Sequence, residues 1–121
     1  MVWVFLAAAL LPFIGAVAAK AGGKSFDNNA PRQWLAHQQG WRARANAAQA
    51  NTFESLPFFF AALLFALYQG VDPSTLMSWA WLWIVLRLFY VWIYIKDRGT
   101  LRSLIWFLAL LVNIYILFLG V

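Results

Sequence analysis

Four long apolar stretches divide the chain, and a polar segment with turn-forming residues separates each from the next. A helix needs ~20 mostly apolar residues to cross a bilayer, so the stretches predict four membrane-spanning helices. The predicted spans are Val2 to Ala19, a second that starts near Gln33 and ends near Gly70, Leu76 to Ile95, and Leu104 to Val121. No strand-like alternation is present, and a chain of 121 residues allows one domain, over residues 1–121. The pattern therefore predicts an all-α integral membrane protein, a four-helix bundle.

The second span is unusual because its fully apolar part is too short to cross a membrane. From Leu56 to Tyr68 there are about 13 residues, which cover ~20 Å against the ~30 Å of a bilayer core. The helix must therefore draw Asn51 and Glu54 into the apolar region, where a carboxylate is costly and normally has both a partner and a function. Glu54 is thus the first candidate for a functional residue. Pro57 is expected to kink the helix that carries it.

Composition supports membrane insertion and excludes several kinds of site. The chain is 64% hydrophobic and 11% charged, whereas soluble domains are ~45–50% apolar and ~25% charged. It has no cysteine and one histidine, His37, which excludes disulfides and thiolate ligands and leaves no expected metal site. The net charge of +5 comes from basic residues that flank spans, so the expected contact is with the lipid bilayer and not with nucleic acid.

The placement of basic residues predicts the orientation in the membrane. Lysines and arginines lie between the first and second spans and again between the third and fourth, while the middle turn carries only Asp72. By the positive-inside rule, both basic segments are cytoplasmic and both chain ends lie on the other side. In that turn, Pro73 is suited to begin the third helix.

Two polar stripes are predicted at helical spacing. On the second span Arg44, Asn51 and Glu54 fall within an arc of about 80°, and Ala47 is the gap between them. The stripe on the third span consists of Trp83, Arg87, Tyr90, Tyr94 and Arg98. An arginine halfway along an apolar run either snorkels to the surface or meets an anion inside the bundle.

Three interpretations of these charges remain open at this point. Glu54 and Arg87 could neutralise each other and hold two helices together. The cluster of Arg44, Arg98 and Arg102 near one membrane face would also suit a small anionic ligand. The same arginines are equally typical of anchors for lipid headgroups. Asn113, alone in the fourth span, is most simply interpreted as an interhelical hydrogen-bond donor.

The segment RANAAQANTFESLP, with Arg44, Asn51, Glu54 and Pro57, resembles the signature of the MAPEG family, the membrane-associated proteins of eicosanoid and glutathione metabolism. The resemblance extends over the whole chain, through its length, its four spans, its basic loops and the residues of the third-span stripe. It implies a homotrimer of four-helix protomers that binds glutathione between neighbours on the cytoplasmic side. The chain looks like the bacterial branch of the family, which implies the bacterial inner membrane.

The resemblance also implies roles for individual residues. Arg44, Asn51 and Glu54 would come from one protomer, and Arg87, Tyr90 and Tyr94 from the adjacent one. The residues implied to bind glutathione are Arg44, Asn51, Glu54, Arg87, Tyr90, Tyr94 and Arg98. The arginines among them would pair with the carboxylates of glutathione. Arg102 resembles the arginine that family enzymes aim at the glutathione sulfur, and it is the expected catalytic residue.

The expected function is therefore a glutathione-dependent transferase or peroxidase that acts on lipophilic electrophiles. A different class remains as the alternative, a non-catalytic lipid-binding or scaffold protein of the same fold. This alternative gains weight from Ala47, which stands where the eicosanoid enzymes have an arginine. A further departure from the family pattern is Ser55, which stands where a tyrosine often follows the glutamate. A small multidrug transporter is less favoured, because the essential glutamate of such transporters lies in the first span, which has no acidic residue here.

Overall fold

The computed structural model describes residues 1–121, and every regular element in it is helical. The elements are α1 (Val2–Lys20), α2 (Pro31–Ala36), α3 (Trp41–Tyr68), α4 (Pro73–Ile95) and α5 (Gly99–Leu119). Four of them, all but the short α2, are long and apolar enough to cross a membrane. The prediction of an all-α multi-pass membrane protein with four spans is confirmed.

The turn between α3 and α4 begins the third span as predicted. Pro73 is at the first helical position, and the Asp72 carboxylate caps the helix by accepting the backbone N–H of Thr75 at 3.2 Å. The Ser74 hydroxyl also donates to this carboxylate. These hydrogen bonds, that from the Ser74 side chain most of all, lower the pKa of the exposed Asp72 below its ordinary value.

Two predicted helix starts are corrected by the structure. The second span begins at Trp41 and not near Gln33, because Gly40, directly before it, adopts a positive φ of 65° that a continuous helix cannot include. The residues from Pro31 instead form the separate helix α2. The fourth helix begins at Gly99, well before Leu104, so its first turns carry polar side chains beyond the apolar stretch.

Helix α3 is the centre of the bundle, in contact with α1, α4 and α5. It runs through Pro57 as one helix, and the kink there stays a prediction. The core is made mostly of aliphatic and small side chains, with Phe59 of α3 stacked on Trp83 of α4 at a centroid distance of 4.0 Å. Gly15 lets α1 approach α3 closely, since a Cβ there would lie 3.0 Å from the Ala45 carbonyl oxygen.

The outer surface of the bundle is apolar. Exposed large side chains occur on all four long helices, including Trp3, Leu64, Phe89 and Phe107. On a soluble protein such a surface would cause aggregation, whereas lipid tails solvate it without penalty. The polar side chains that remain are therefore concentrated at the helix ends and between α3, α4 and α5.

Candidate functional site

Arg87 is a buried cation between α3 and α4, with only 1% of its surface exposed. Its Nη2 donates to Asn51 Oδ1 at 2.9 Å and to Thr52 Oγ1 at 3.0 Å. Its guanidinium carbon also lies 4.1 Å from the centroid of the Tyr90 ring. A buried charge is tolerated only when polar groups replace its lost water. Within the protomer these groups are two neutral side chains and an aromatic face, so the hydrogen bonds of Arg87 do not go to Glu54.

A series of contacts that starts at the Arg87 guanidinium continues through two aromatic rings to a second guanidinium near the end of the bundle. The rings of Tyr90 and Tyr94 meet edge to face, 5.7 Å apart and inclined by 84°. The guanidinium of Arg102, in the first turns of α5, lies 4.4 Å from the centroid of the Tyr94 ring. Each cation–π contact is worth about 0.5–2 kcal/mol, depending on how dry the site is. Arg102, which is half-buried, is thereby held against α4.

Two adjoining cavities open beside this series. The first, the Arg102 cavity, has a volume of about 280 Å³ and is lined by Asn51, Tyr90, Tyr94, Arg102, Ser103 and Trp106. The second, the Asn113 cavity, has a volume of about 220 Å³ and is lined by Asn51, Glu54, Ser55, Phe58, Trp83, Arg87, Trp106, Ala109, Leu110 and Asn113. Asn51 and Trp106 belong to both walls. Pockets for drug-sized ligands usually measure ~300–1,000 Å³, so each cavity alone would hold only part of such a ligand.

The structure brings six of the eight predicted site residues to these cavities. They are Asn51, Glu54, Arg87, Tyr90, Tyr94 and Arg102. Glu54 is exposed in the protomer and lines the same cavity as Arg87. Because the walls carry two guanidinium groups and one carboxylate, they suit a ligand with more anionic than cationic groups.

Arg44 and Arg98 do not line either cavity. The Arg44 Nε donates to the backbone carbonyl of Ile95 at 3.0 Å, at the C-terminal end of α4, where a cation also complements the helix dipole. Arg42 does the same for the end of α1, donating to the Ala19 carbonyl at 3.0 Å. Arg98 is exposed in the turn that precedes α5. Both predicted residues therefore lie at the end of the bundle where Arg102 is found.

The two polar stripes are in contact inside the single chain, through Asn51 and Arg87. The resemblance implied that Asn51 and Arg87 would come from adjacent protomers, but a hydrogen bond joins them inside a single chain. The physical reason is the tight turn before α4, which makes α3 and α4 antiparallel neighbours whose stripes share one groove. The hydrogen bond shows that Asn51 and Arg87 also contact each other inside the chain, and the implied division of the glutathione-binding residues between protomers stays a prediction.

Three residues that contribute to the site were missed or read differently from the sequence. Thr52 is fully buried and accepts the hydrogen bond of Arg87, but its spacing places it on the ordinary core face of α3. Trp106, which was not among the predicted site residues, lines both cavities. Asn113, which was expected to donate an interhelical hydrogen bond, lines the second cavity, and its buried Oδ1, an acceptor, has no partner in the protein.

Comparison with known sequences agrees with this geometry at the level of family. The sequence model described as "MAPEG family" matches residues 1–121, the whole chain. A search of curated proteins and a search of solved structures returned no match. The chain belongs to the MAPEG family.

Proposed function

We propose that this MAPEG family member is a glutathione-dependent membrane transferase or peroxidase that acts on lipophilic electrophiles, with Arg102 beside the glutathione sulfur. The observation that carries the proposal is the position of Arg102 against the Tyr94 ring at 4.4 Å, on the wall of a cavity that continues into the bundle. Family membership supports a function related to glutathione or eicosanoids. The charged side chains in the cavity walls favour a function that uses glutathione.

The charges near the cavities complement those of glutathione, which has two carboxylates, one ammonium group and one thiol. Glu54 is the one carboxylate in the walls and would accept the ammonium group. Arg44 and Arg98 lie at the same end of the bundle as Arg102 and would receive the carboxylates. This arrangement leaves Arg102 for the thiol.

Arg102 would act by stabilising the thiolate. A free thiol has a pKa of about 8.5, and a neighbouring cation lowers it, so that thiolate is present at neutral pH. In a transferase reaction the sulfur forms a bond to the electrophilic carbon while the leaving group departs with the electron pair. In a peroxidase reaction the thiolate sulfur attacks the terminal hydroperoxide oxygen, the O–O bond breaks, and the alkoxide leaves with the electron pair and takes up a proton to become the alcohol. A second glutathione then attacks the sulfur of the resulting sulfenic acid and displaces its oxygen as water, which gives the disulfide.

We also propose assembly into a homotrimer. In the homotrimer that we propose, walls from a neighbouring copy would enlarge the two adjoining cavities of about 280 and 220 Å³. By the positive-inside rule the Arg102 end of the bundle would face the cytoplasm, with both termini on the other side of a bacterial inner membrane.

A non-catalytic lipid-binding or scaffold role remains the second candidate, because of two observations. Ala47 stands at the gap in the α3 stripe, so one guanidinium is missing from it. The Nη2 of Arg87 already donates its hydrogen bonds to Asn51 and Thr52. A protein of this kind would keep the buried network and bind no thiolate.

A glutathione titration of the purified protein in detergent separates the two candidates. We expect saturable binding with the ultraviolet absorbance of a thiolate, and loss of that absorbance in Arg102→Ala but not in Lys96→Ala, an exposed cation at the same end of the bundle. Glu54→Ala should weaken the binding. Binding without thiolate absorbance would favour the non-catalytic candidate, and no binding at millimolar glutathione would contradict a glutathione function altogether.

A further inference from the structure

A third cavity lies between α1, α2 and α3, on the other side of α3 from α4 and α5. Its volume is about 380 Å³. It is lined by Lys20 of α1, by Pro31, Arg32 and Leu35 of α2, and by Asn46, Gln49, Ala50 and Phe53 of α3. None of these residues lines the Arg102 cavity or the Asn113 cavity. The proposed glutathione site therefore gives this third cavity, the Lys20 cavity, no role.

The chemistry of the walls changes along the Lys20 cavity. Two cationic side chains, Lys20 and Arg32, line it where α1 ends and α2 begins, and no carboxylate lines it. Asn46 and Gln49 add neutral amides. Further along α3, the wall becomes apolar with Ala50 and with Phe53, of which 45% is exposed. A ligand that fits these walls has an anionic group at one end and an apolar part at the other.

Packing holds the cationic end of the cavity in place. The Lys20 Nζ lies 5.7 Å from the centroid of the Phe26 ring, and that ring meets Trp34 of α2 edge to face at 5.0 Å. The Trp34 indole N–H donates to the backbone carbonyl of Lys24 at 3.2 Å. Leu35 is buried in a small apolar cluster shared by α1, α2 and α3. These contacts dock α2 onto its neighbours, so the cavity exists without a ligand.

The apolar end of the cavity continues onto the outer surface of the bundle. Phe53 packs edge to face against Phe13 of α1, with the ring centroids 6.1 Å apart, and both rings are exposed. Val17, one turn from Phe13 toward Lys20, is exposed as well. A hydrocarbon chain that lies along these side chains would stay in the membrane while the group attached to it reaches the cations.

We propose that the Lys20 cavity binds an anionic phospholipid, with its phosphate at Lys20 and Arg32 and an acyl chain along Phe53 and Phe13. By the positive-inside rule this end of the bundle would face the cytoplasm, where anionic lipids attract basic residues beside a membrane span. A free phosphate would use the cations and leave the apolar wall uncovered, whereas a neutral lipid would use only the apolar wall. The site is independent of glutathione and goes beyond the proposed function.

The test counts bound lipids by native mass spectrometry of the whole protein released from a neutral detergent. Phosphatidylglycerol and phosphatidylcholine with the same acyl chains are titrated separately. The wild type should bind phosphatidylglycerol about 25-fold more tightly, because each basic residue beside a membrane contributes about fivefold. Arg32→Gln should lower this preference to about fivefold, and Lys20→Gln combined with Arg32→Gln should abolish it. The matched control is Lys24→Gln, which removes an exposed cation of the same loop that does not line the cavity, and it should keep the full preference.

Several results would overturn the proposal. Equal affinities for the two lipids, or a preference that survives in the double variant, would show that the cavity cations do not recognise the phosphate. An equal loss in Lys24→Gln and Arg32→Gln would show a diffuse attraction and no defined site. Glycerol phosphate that competes as well as phosphatidylglycerol would show a site for free phosphate. Because Lys20 also lies in the last turn of α1 and complements its dipole, the exposed Arg32→Gln decides the matter alone if the double variant fails to fold.

Discussion

The strongest structural prediction concerns Thr52, whose hydroxyl oxygen accepts a hydrogen bond from the buried Arg87 at 3.0 Å. Thr52→Val keeps the shape of the side chain and removes the hydroxyl. A hydrogen bond to a charged group is worth about 1.5–3 kcal/mol, whereas neutral hydrogen bonds between membrane helices average about 0.6 kcal/mol. Because no water reaches this site to replace the lost acceptor, we expect the free energy of unfolding to fall by about 2 kcal/mol.

The assay is reversible unfolding in mixed micelles, run as a double-mutant cycle with Arg87→Met. The Thr52 hydroxyl also donates to the Ala48 carbonyl at 2.8 Å, so Thr52→Val has a second effect that is independent of Arg87. The cycle removes it, and the coupling between the two sites should exceed 1 kcal/mol, well above the ~0.6 kcal/mol of a neutral pair. Ser55→Ala is the control, since Ser55 bonds only the Thr52 carbonyl. Equal losses from Thr52→Val with and without the arginine would show that the Thr52 hydroxyl and the Arg87 guanidinium are not coupled.

Three further predictions follow from other parts of the bundle. Gly15→Val should lower the free energy of unfolding by about 1–3 kcal/mol through overpacking, because even a Cβ there would lie 3.0 Å from the backbone of α3. Gly99 has open space around it, so Gly99→Ala should be neutral in the same unfolding assay. The pKa of Asp72 is lowered in the folded state, so its stabilising effect is complete above the unfolded pKa of about 4 and disappears as the pH falls through the lower folded value. Unfolding measured over that acidic range should show a weaker pH dependence for Asp72→Asn, and an unchanged profile would contradict the cap. Tyr94→Phe should retain thiolate formation with glutathione and Tyr94→Leu should reduce it, because the aromatic face and not the hydroxyl holds Arg102. An equal loss of the thiolate signal in both variants would show that the hydroxyl is required.

Much of the fold could be predicted from the sequence because its determinants are local. Apolar runs long enough to span a bilayer predict the spans, and Asp72 with Pro73 marks the start of α4. The break before α3 could not be placed, because Gly40 can sit within a helix as well as end one. Its positive φ of 65° is a property of the folded chain.

The site was partly predictable for a related reason. Helical spacing puts Asn51 and Glu54 on one stripe and Arg87 on another, and both stripes reach the cavities. Spacing does not say which partner a long side chain selects. Arg44 has the right spacing, but its Nε donates a hydrogen bond to the carbonyl at the end of α4. Thr52, on the core face of α3, accepts a hydrogen bond from Arg87.

If Arg102 holds the sulfur of glutathione as a thiolate, as we propose, a glutathione titration followed by thiolate absorbance will show it. We expect the wild type to develop a saturable thiolate signal at neutral pH, and Arg102→Ala to bind glutathione without it. An undiminished thiolate signal in Arg102→Ala would contradict the claim, because another group would then be stabilising the sulfur.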